Sequence, residues 1–171
     1  MSNPASKLLA SSGASSSAVY VDDVFSIDIW DGNNSTNQIA NGVDLSGEGG
    51  MVWVKLRDGF TSYHVMMDTE RGANDGLYPN RTNAEASQGA EFSSFNSDGF
   101  TLGGEVNGYM NSTHNSANYC GWTFRKAAGF FDVVTYTGNG TSNRQIAHNL
   151  GCEVGMMFFK KTNGTGDWKV F

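Results

Sequence analysis

Short runs of alternating apolar and polar residues, each closed by a Gly- or Asn-rich turn, constrain this chain more than any other feature. Phe25, Ile27 and Ile29 alternate with Ser26, Asp28 and Trp30. Successive side chains on a strand point to opposite faces, so this pattern predicts a strand with one buried face. Asp31-Gly32-Asn33-Asn34 then reads as a turn, and Gly47-Glu48-Gly49-Gly50 breaks the chain again. Across residues 51–57, Val52, Val54 and Leu56 alternate with Met51, Trp53 and Lys55. Residues 63–68, 119–125 and 130–136 read as further strands. Asn96-Ser97-Asp98-Gly99 separates two short apolar runs and predicts a hairpin, because Asp-Gly suits its left-handed turn. Residues 69–88 and 107–117 read as polar loops, and no stretch holds a helical period over three turns.

Composition points the same way. Aromatic residues reach 12%, Gly numbers 22 against 2 Pro, and charged residues fall to 16%, below the usual share of about a quarter. Aromatic and β-branched residues suit a pleated, half-buried surface, and Gly and Asn suit the turns between strands. The expected fold is all-β, an antiparallel β-sandwich. The net charge of −6 and a pI of about 4.9 oppose contact with phosphate backbones or anionic lipid. No nucleic-acid partner is expected. No apolar run approaches the roughly 20 residues that cross a bilayer, so no membrane insertion is expected either. Residues 1–19 are small, polar and aperiodic, and read as a flexible or anchoring arm. Leu8 and Leu9 are its apolar handle. Cys120 and Cys152 have no CxxC partner and read as reduced thiols.

The chain also repeats itself. Trp30-Asp-Gly-Asn-Asn-Ser-Thr-Asn-Gln-Ile-Ala40 followed by Gly50-Met-Val-Trp-Val-Lys55 is echoed by Tyr136-Thr-Gly-Asn-Gly-Thr-Ser-Asn-Arg-Gln-Ile-Ala147 followed by Gly155-Met-Met-Phe-Phe-Lys160. An aromatic, Gly-Asn, Gln-Ile-Ala, Gly-Met, an aromatic and Lys recur in one order, about 105 residues on. The repeat divides the chain into an arm (1–19), a sandwich module (20–127) and the N-terminal part of a second, related module (128–171). Since the second copy stops inside the element matching residues 63–66, the chain reads as part of a longer protein.

Several of these segments together carry a resemblance. Val21-Asp-Asp-Val-Phe25, Leu45-Ser-Gly-Glu-Gly-Gly-Met-Val-Trp-Val-Lys55, Asp68-Thr-Glu-Arg-Gly72, Ser94-Phe-Asn-Ser-Asp-Gly-Phe100, Trp122-Thr-Phe-Arg-Lys126 and Phe130-Phe-Asp-Val-Val-Thr-Tyr-Thr-Gly-Asn-Gly140 resemble tail-fibre-like structural proteins of marine and cyanobacterial tailed bacteriophages. The resemblance implies a virion protein with concanavalin A-like, jelly-roll modules, assembled in the cytoplasm of a host bacterium and residing in the phage tail. It implies other tail proteins as partners, a homotrimer, and host-surface contact. It supplies no catalytic residues. A capsid head-fibre or decoration protein and a virion-associated polysaccharide depolymerase are the alternative readings.

The residues offer little catalytic chemistry of their own. Asp68, Glu70 and Asp75 lie close in sequence and are weak calcium candidates, though their spacing is not that of an EF-hand. His64, His114 and His148 share no ligand spacing, and no nucleophile elbow or phosphate loop is present. No cofactor is expected, and the chain reads as a non-enzyme. Trp30 and Trp53 fall on the strand face opposite the aliphatic series. They are candidates for stacking on a glycan ring, for a subunit interface, or for a second buried face. Leu8 and Leu9 are candidates for anchoring the arm to another virion protein.

Overall fold

Strand β1 (Phe25–Asp31) forms one edge of a six-stranded sheet in the computed structural model, which describes residues 19–104 and 106–171. Next to it run β9 (Asn118–Arg125), β3 (Gly50–Asp58), β4 (Val65–Asp68), β5 (Gly72–Leu77) and β6 (Ala86–Ser87), in that order. A second sheet has the order β2 (Asn37–Ala40), β8 (Gly99–Leu102), β7 (Phe92–Asn96). Every pairing between described strands is antiparallel. The two sheets face each other as a β-sandwich. Single α-helical turns, α1 (Val21–Val24) before β1 and α2 (Leu45–Glu48) before β3, and 3-10 turns at Gly89–Glu91 and His114–Ser116 accompany the strands. Asp44 caps α2 by accepting from the Gly47 N–H at 2.7 Å.

The inner layer follows from the alternation in β3. Val52, Val54 and Leu56 point inward with Val65 and Met67 of β4 and Tyr119 of β9, and meet Phe92, Phe100 and Leu102 from the small sheet. Trp30 joins this core, stacked on Tyr119 at 5.9 Å and edge-on to Phe100 at 5.8 Å. Its indole N–H donates to the Met110 carbonyl at 3.0 Å, which satisfies the one polar atom that burial would otherwise strand. The hairpin between β7 and β8 forms with Asn96 paired to Gly99.

Four local expectations are revised. The buried face of β1 is the reverse of the expected one: Trp30 is inside, and Ile27 and Ile29 are 59% and 69% exposed. Asp28 can face inward because the Asn41 amide donates to its carboxylate at 2.8 Å and to Thr123 Oγ1 at 3.0 Å. Strands β5 and β6 occupy part of the expected 69–88 loop. Gly-Ala-Asn-Asp-Gly-Leu is a poor strand former, and pairing to β4 overrides local preference. Residues 37–40 add a strand where a Gln-Ile-Ala segment gave little sign of one. Residues 130–136 form no strand; only Ala127 and Phe131 bridge. Phe130 and Phe131 pack instead against Phe124 on the outer face of the large sheet.

The repeat has counterparts in the structure. Asn33 Oδ1 accepts from the Ser35 N–H at 2.9 Å, and Asn139 Oδ1 from the Thr141 N–H at 3.0 Å, so both Gly-Asn steps are Asx turns. Asn41 Oδ1 accepts from Val43 N at 3.1 Å, and its counterpart His148 accepts through Nδ1 from Leu150 N at 3.3 Å. Strand β3 pairs with β4 through Trp53–Met66 and Val54–Val65. The matching hairpin, β10 (Phe158–Phe159) with β11 (Lys169–Val170), pairs through Phe158–Val170 and Phe159–Lys169. The second-copy segment is tied to the sandwich: Glu85 N–H donates to the Thr162 carbonyl and Gly166 N–H to the Thr82 carbonyl, each at 2.9 Å.

Candidate functional site

The register of the large sheet places five apolar residues in one row on its outer face. Ile27 of β1 is paired with Trp122 of β9, Trp122 with Trp53 of β3, Trp53 with Met66 of β4, and Met66 with Leu77 of β5. At about 4.8 Å between strands, the row spans roughly 19 Å. Phe25, Phe124 and Met51 form a parallel row on one side of it, and Ile29, Cys120 and Lys55 on the other. Side chains in such rows interact directly across the strands. A period-two pattern with large apolar residues on both faces of one sheet commits both faces to contact with something.

Half of this outer face is already covered. Phe131, Val133 and Trp168 pack on Met51, Met66 and Leu77. Phe124 packs against Phe25 at 5.0 Å and Phe131 at 5.3 Å between centroids. The Trp168 indole N–H donates to the Tyr78 carbonyl at 2.9 Å, and this bond staples the segment in place. Lys126 holds the start of the same segment, 2.5 Å from Glu70 and 3.5 Å from the buried carboxylate of Asp132. The bond to Glu70 is the main reason the Lys126 ammonium titrates above its ordinary value.

The other half is open among the described residues. Ile27 and Ile29 are exposed, and Trp122, Trp53 and Cys120 are half-buried beside them. Trp53 and Trp122 lie 5.7 Å apart at 60°, and Trp53 lies 6.0 Å from the His64 ring. The Trp53 indole N–H donates to His64 Nδ1 at 3.2 Å. Burial, and then the positive charge of Lys55, hold the His64 imidazole below its usual titration range. Burial pushes the Cys120 thiol up, against the opposing pull of Arg57 and Lys55. It is a packing residue of the face, with its thiol kept protonated. Both cysteines are free.

The residues singled out from sequence divide. Trp53 lies on the open face, whereas Trp30 is sealed in the core and presents no surface for a sugar ring. The two tryptophans sit on opposite faces of the same sheet. The calcium candidates do not converge. Asp68 is buried with its carboxylate on Arg71, at 2.8 Å from Nε and 2.5 Å from Nη2, and it also accepts from the backbone N–H groups of Glu70 and Arg71. Glu70 is taken by Lys126, and the Asp75 carboxylate by Asn74. Among the described residues no cluster of three or more metal-binding side chains occurs. Arg71 is the counter-ion of Asp68. Leu8 and Leu9 lie outside the described residues.

Sequence reasoning missed Ile27 and Ile29 as surface residues, because an alternating strand does not say which of its faces is inside. It also missed a tyrosine cluster at the loop end of the sandwich. Tyr63, Tyr78 and Tyr109 meet edge-on at 5.5–6.0 Å, with the Arg81 guanidinium 3.9 Å over the Tyr63 ring. Burial, then the neighbouring Tyr78 and Tyr63, raise the Tyr109 hydroxyl.

Comparison with known proteins adds one finding. No curated protein and no solved structure gives a significant match. The family described as a domain of unknown function (DUF7483) matches residues 21–171. The match begins at α1 and takes in the sandwich together with the repeat-related segment that crosses its outer face. The chain belongs to the DUF7483 family.

Proposed function

We propose that this chain is a structural and binding module of a phage virion, of the tail-fibre type, and that the open half of the outer face is its contact surface. The single observation that carries the reading is the row Ile27–Trp122–Trp53, an apolar and aromatic strip that the described residues leave exposed at Ile27 and half-exposed at Trp122 and Trp53. Contiguous exposed apolar surface of this kind marks association sites. Its chemistry suits apposition to a flat apolar partner or to the face of a sugar ring, with Trp53 and Trp122 as the stacking residues. The resemblance to tail-fibre-like proteins supplies the setting: a homotrimer on the tail, attached by its N-terminal part and directed at a host-surface glycan. In that reading Leu8 and Leu9 anchor the arm to a neighbouring tail protein. The jelly-roll, concanavalin A-like description of the sandwich belongs to the same proposal.

Antibody labelling of intact particles, with mass spectrometry of purified virions, tests the assignment. Label on the tail is the expected outcome. Label on the head transfers the module to a head fibre, and absence of the protein from particles overturns the virion reading. Release of reducing sugar ends from purified host polysaccharide would instead establish a depolymerase. Deleting residues 2–18 tests the anchor, since incorporation at the normal level would show that the arm is dispensable.

A further inference from the structure

The tyrosine cluster at the loop end of the sandwich is held in place by backbone hydrogen bonds. Tyr78-Pro79-Asn80-Arg81 is a tight turn, closed by the Arg81 N–H donating to the Tyr78 carbonyl at 3.0 Å, with Pro79 where its fixed φ is favoured. Asn80 Oδ1 accepts from the His64 N–H at 3.2 Å, which ties this turn to the segment carrying Tyr63. Tyr109 comes from the 107–110 loop, whose Asn107 and Met110 N–H groups donate to the buried carboxylate of Glu91 at 3.0 and 2.6 Å. Three separate segments thus deliver three phenols to one place, with ring centroids 5.5–6.0 Å apart.

Arg81 completes the group. Its guanidinium lies 3.9 Å over the Tyr63 ring, a cation–π contact that fixes a long, flexible side chain. Stacking engages the face of the guanidinium and none of its N–H donors, which lie in its plane. Among the described residues those donors have no hydrogen-bond acceptor and no carboxylate within ion-pair distance. The hydroxyls of Tyr63 and Tyr109 likewise have no hydrogen-bond partner among the described residues. The Tyr78 hydroxyl accepts from Gln88 Nε2 at 3.0 Å, which leaves its own proton to give. Tyr63, Arg81 and Tyr109 are half-buried, and Tyr78 is buried. Burial, then the Tyr78 and Tyr63 phenols, raise the Tyr109 hydroxyl and keep it a protonated donor, against the pull of the Arg81 charge. Lys160 adds positive charge close by, its ammonium donating to the carbonyl of Thr82 at 3.3 Å. The cluster therefore offers hydrogen-bond donors and aromatic surface together.

We propose that Tyr63, Arg81 and Tyr109 form a binding site for a saccharide that carries a carboxylate. The guanidinium edge presents paired N–H donors that match the two oxygens of a carboxylate, so one acid group satisfies it in a two-point contact. Because its ring contact already holds Arg81, little freedom is lost on binding. The phenol hydroxyls match the hydroxyls of a sugar ring, and the tyrosine rings offer apolar surface to its C–H groups. A ligand with one carboxylate suits the chain better than a polyanion, since a net charge of −6 repels dense negative charge. The site is separate from the row Ile27–Trp122–Trp53 and does not depend on the virion assignment.

The test uses the intact chain and a disaccharide of glucuronic acid linked to glucose, with its methyl ester as the uncharged control. Ligand-observed nuclear magnetic resonance follows binding. The acid should bind saturably and its methyl ester much more weakly. Arg81→Ala should weaken binding by roughly tenfold or more, a loss of about 1.4 kcal/mol or greater. Arg81→Lys keeps the charge without the planar fork and should restore only part of the affinity. Tyr109→Phe removes a hydroxyl alone and should weaken binding several-fold. Melting temperatures document the folding of each variant; if Arg81→Ala melts early, Arg81→Lys and Tyr109→Phe carry the test. Trp122→Ala, on the open outer face, should bind the acid like the parent chain. Acetylglutamate, a carboxylate without a sugar, should compete poorly. The proposal is overturned by no saturation in the millimolar range, by equal binding of the methyl ester, by unchanged binding in the Arg81 and Tyr109 variants, by loss of binding in Trp122→Ala, or by acetylglutamate competing as well as the disaccharide.

Discussion

The indole N–H of Trp53 donates to Nδ1 of His64 across 3.2 Å, so the imidazole is held with that nitrogen bare. Protonating it replaces the acceptor with a second donor. Because burial, and then the charge of Lys55, hold the folded-state value below 6.5, the neutral imidazole contributes stability that is fully present above the unfolded value and is lost as pH falls through the folded one. Thermal melts from pH 7.5 to 5 should show declining stability, accompanied by a change in tryptophan fluorescence. In His64→Gln the fluorescence change should disappear and the decline should flatten. A wild-type melt indifferent to this range would contradict the arrangement.

Arg71 and Asp68 form the buried clamp under the β4–β5 turn, with side chains only 8% and 6% exposed. The guanidinium also donates to the Asp75 carbonyl at 2.8 Å and the Met66 carbonyl at 3.3 Å. Arg71→Ala leaves a buried carboxylate without its counter-ion and should cost about 3–5 kcal/mol. The double variant with Asp68→Ala should lose less than the two single losses combined, as measured by denaturant unfolding. Calcium should leave the melting temperature of the native protein unchanged, since Asp68, Glu70 and Asp75 each pair with a different side chain.

Glu91 is fully buried and pins the 107–110 loop by accepting from Met110 N at 2.6 Å and Asn107 N at 3.0 Å. Glu91→Gln turns one acceptor oxygen into a donor facing a donor. It should cost roughly 1–3 kcal/mol and raise hydrogen exchange in that loop before the rest of the sandwich.

The alternation of Val52, Val54 and Leu56 carried the inner layer directly, and the Asp-Gly step carried the β7–β8 hairpin. Direction was harder to read. Nothing local in Phe25 to Asp31 says that Trp30 rather than Ile27 faces inward, because Asp28 is accommodated by Asn41, a residue outside the strand. Strand β5 was illegible because its pairing to β4, and not the intrinsic preference of Gly-Ala-Asn-Asp-Gly-Leu, makes it a strand. The acidic residues near Asp68 suggested a cation site, yet Arg71 beside them was the actual counter-ion. The candidate face was half-legible: Trp53 stood out in the sequence, but the five-strand row containing it depends on registers fixed only in the folded sheet.

The central claim is that the open outer face is covered when the module works. Hydroxyl-radical footprinting of the isolated chain and of assembled particles, read at Ile27, Ile29, Trp53 and Trp122 by mass spectrometry, tests it most directly. The account predicts strong labelling of these residues in the isolated chain, and marked protection of them in particles or on bound host glycan. Fully buried Tyr119 should stay unlabelled in every state. Equal labelling of the four residues in all states would contradict the assignment of this face as the contact surface.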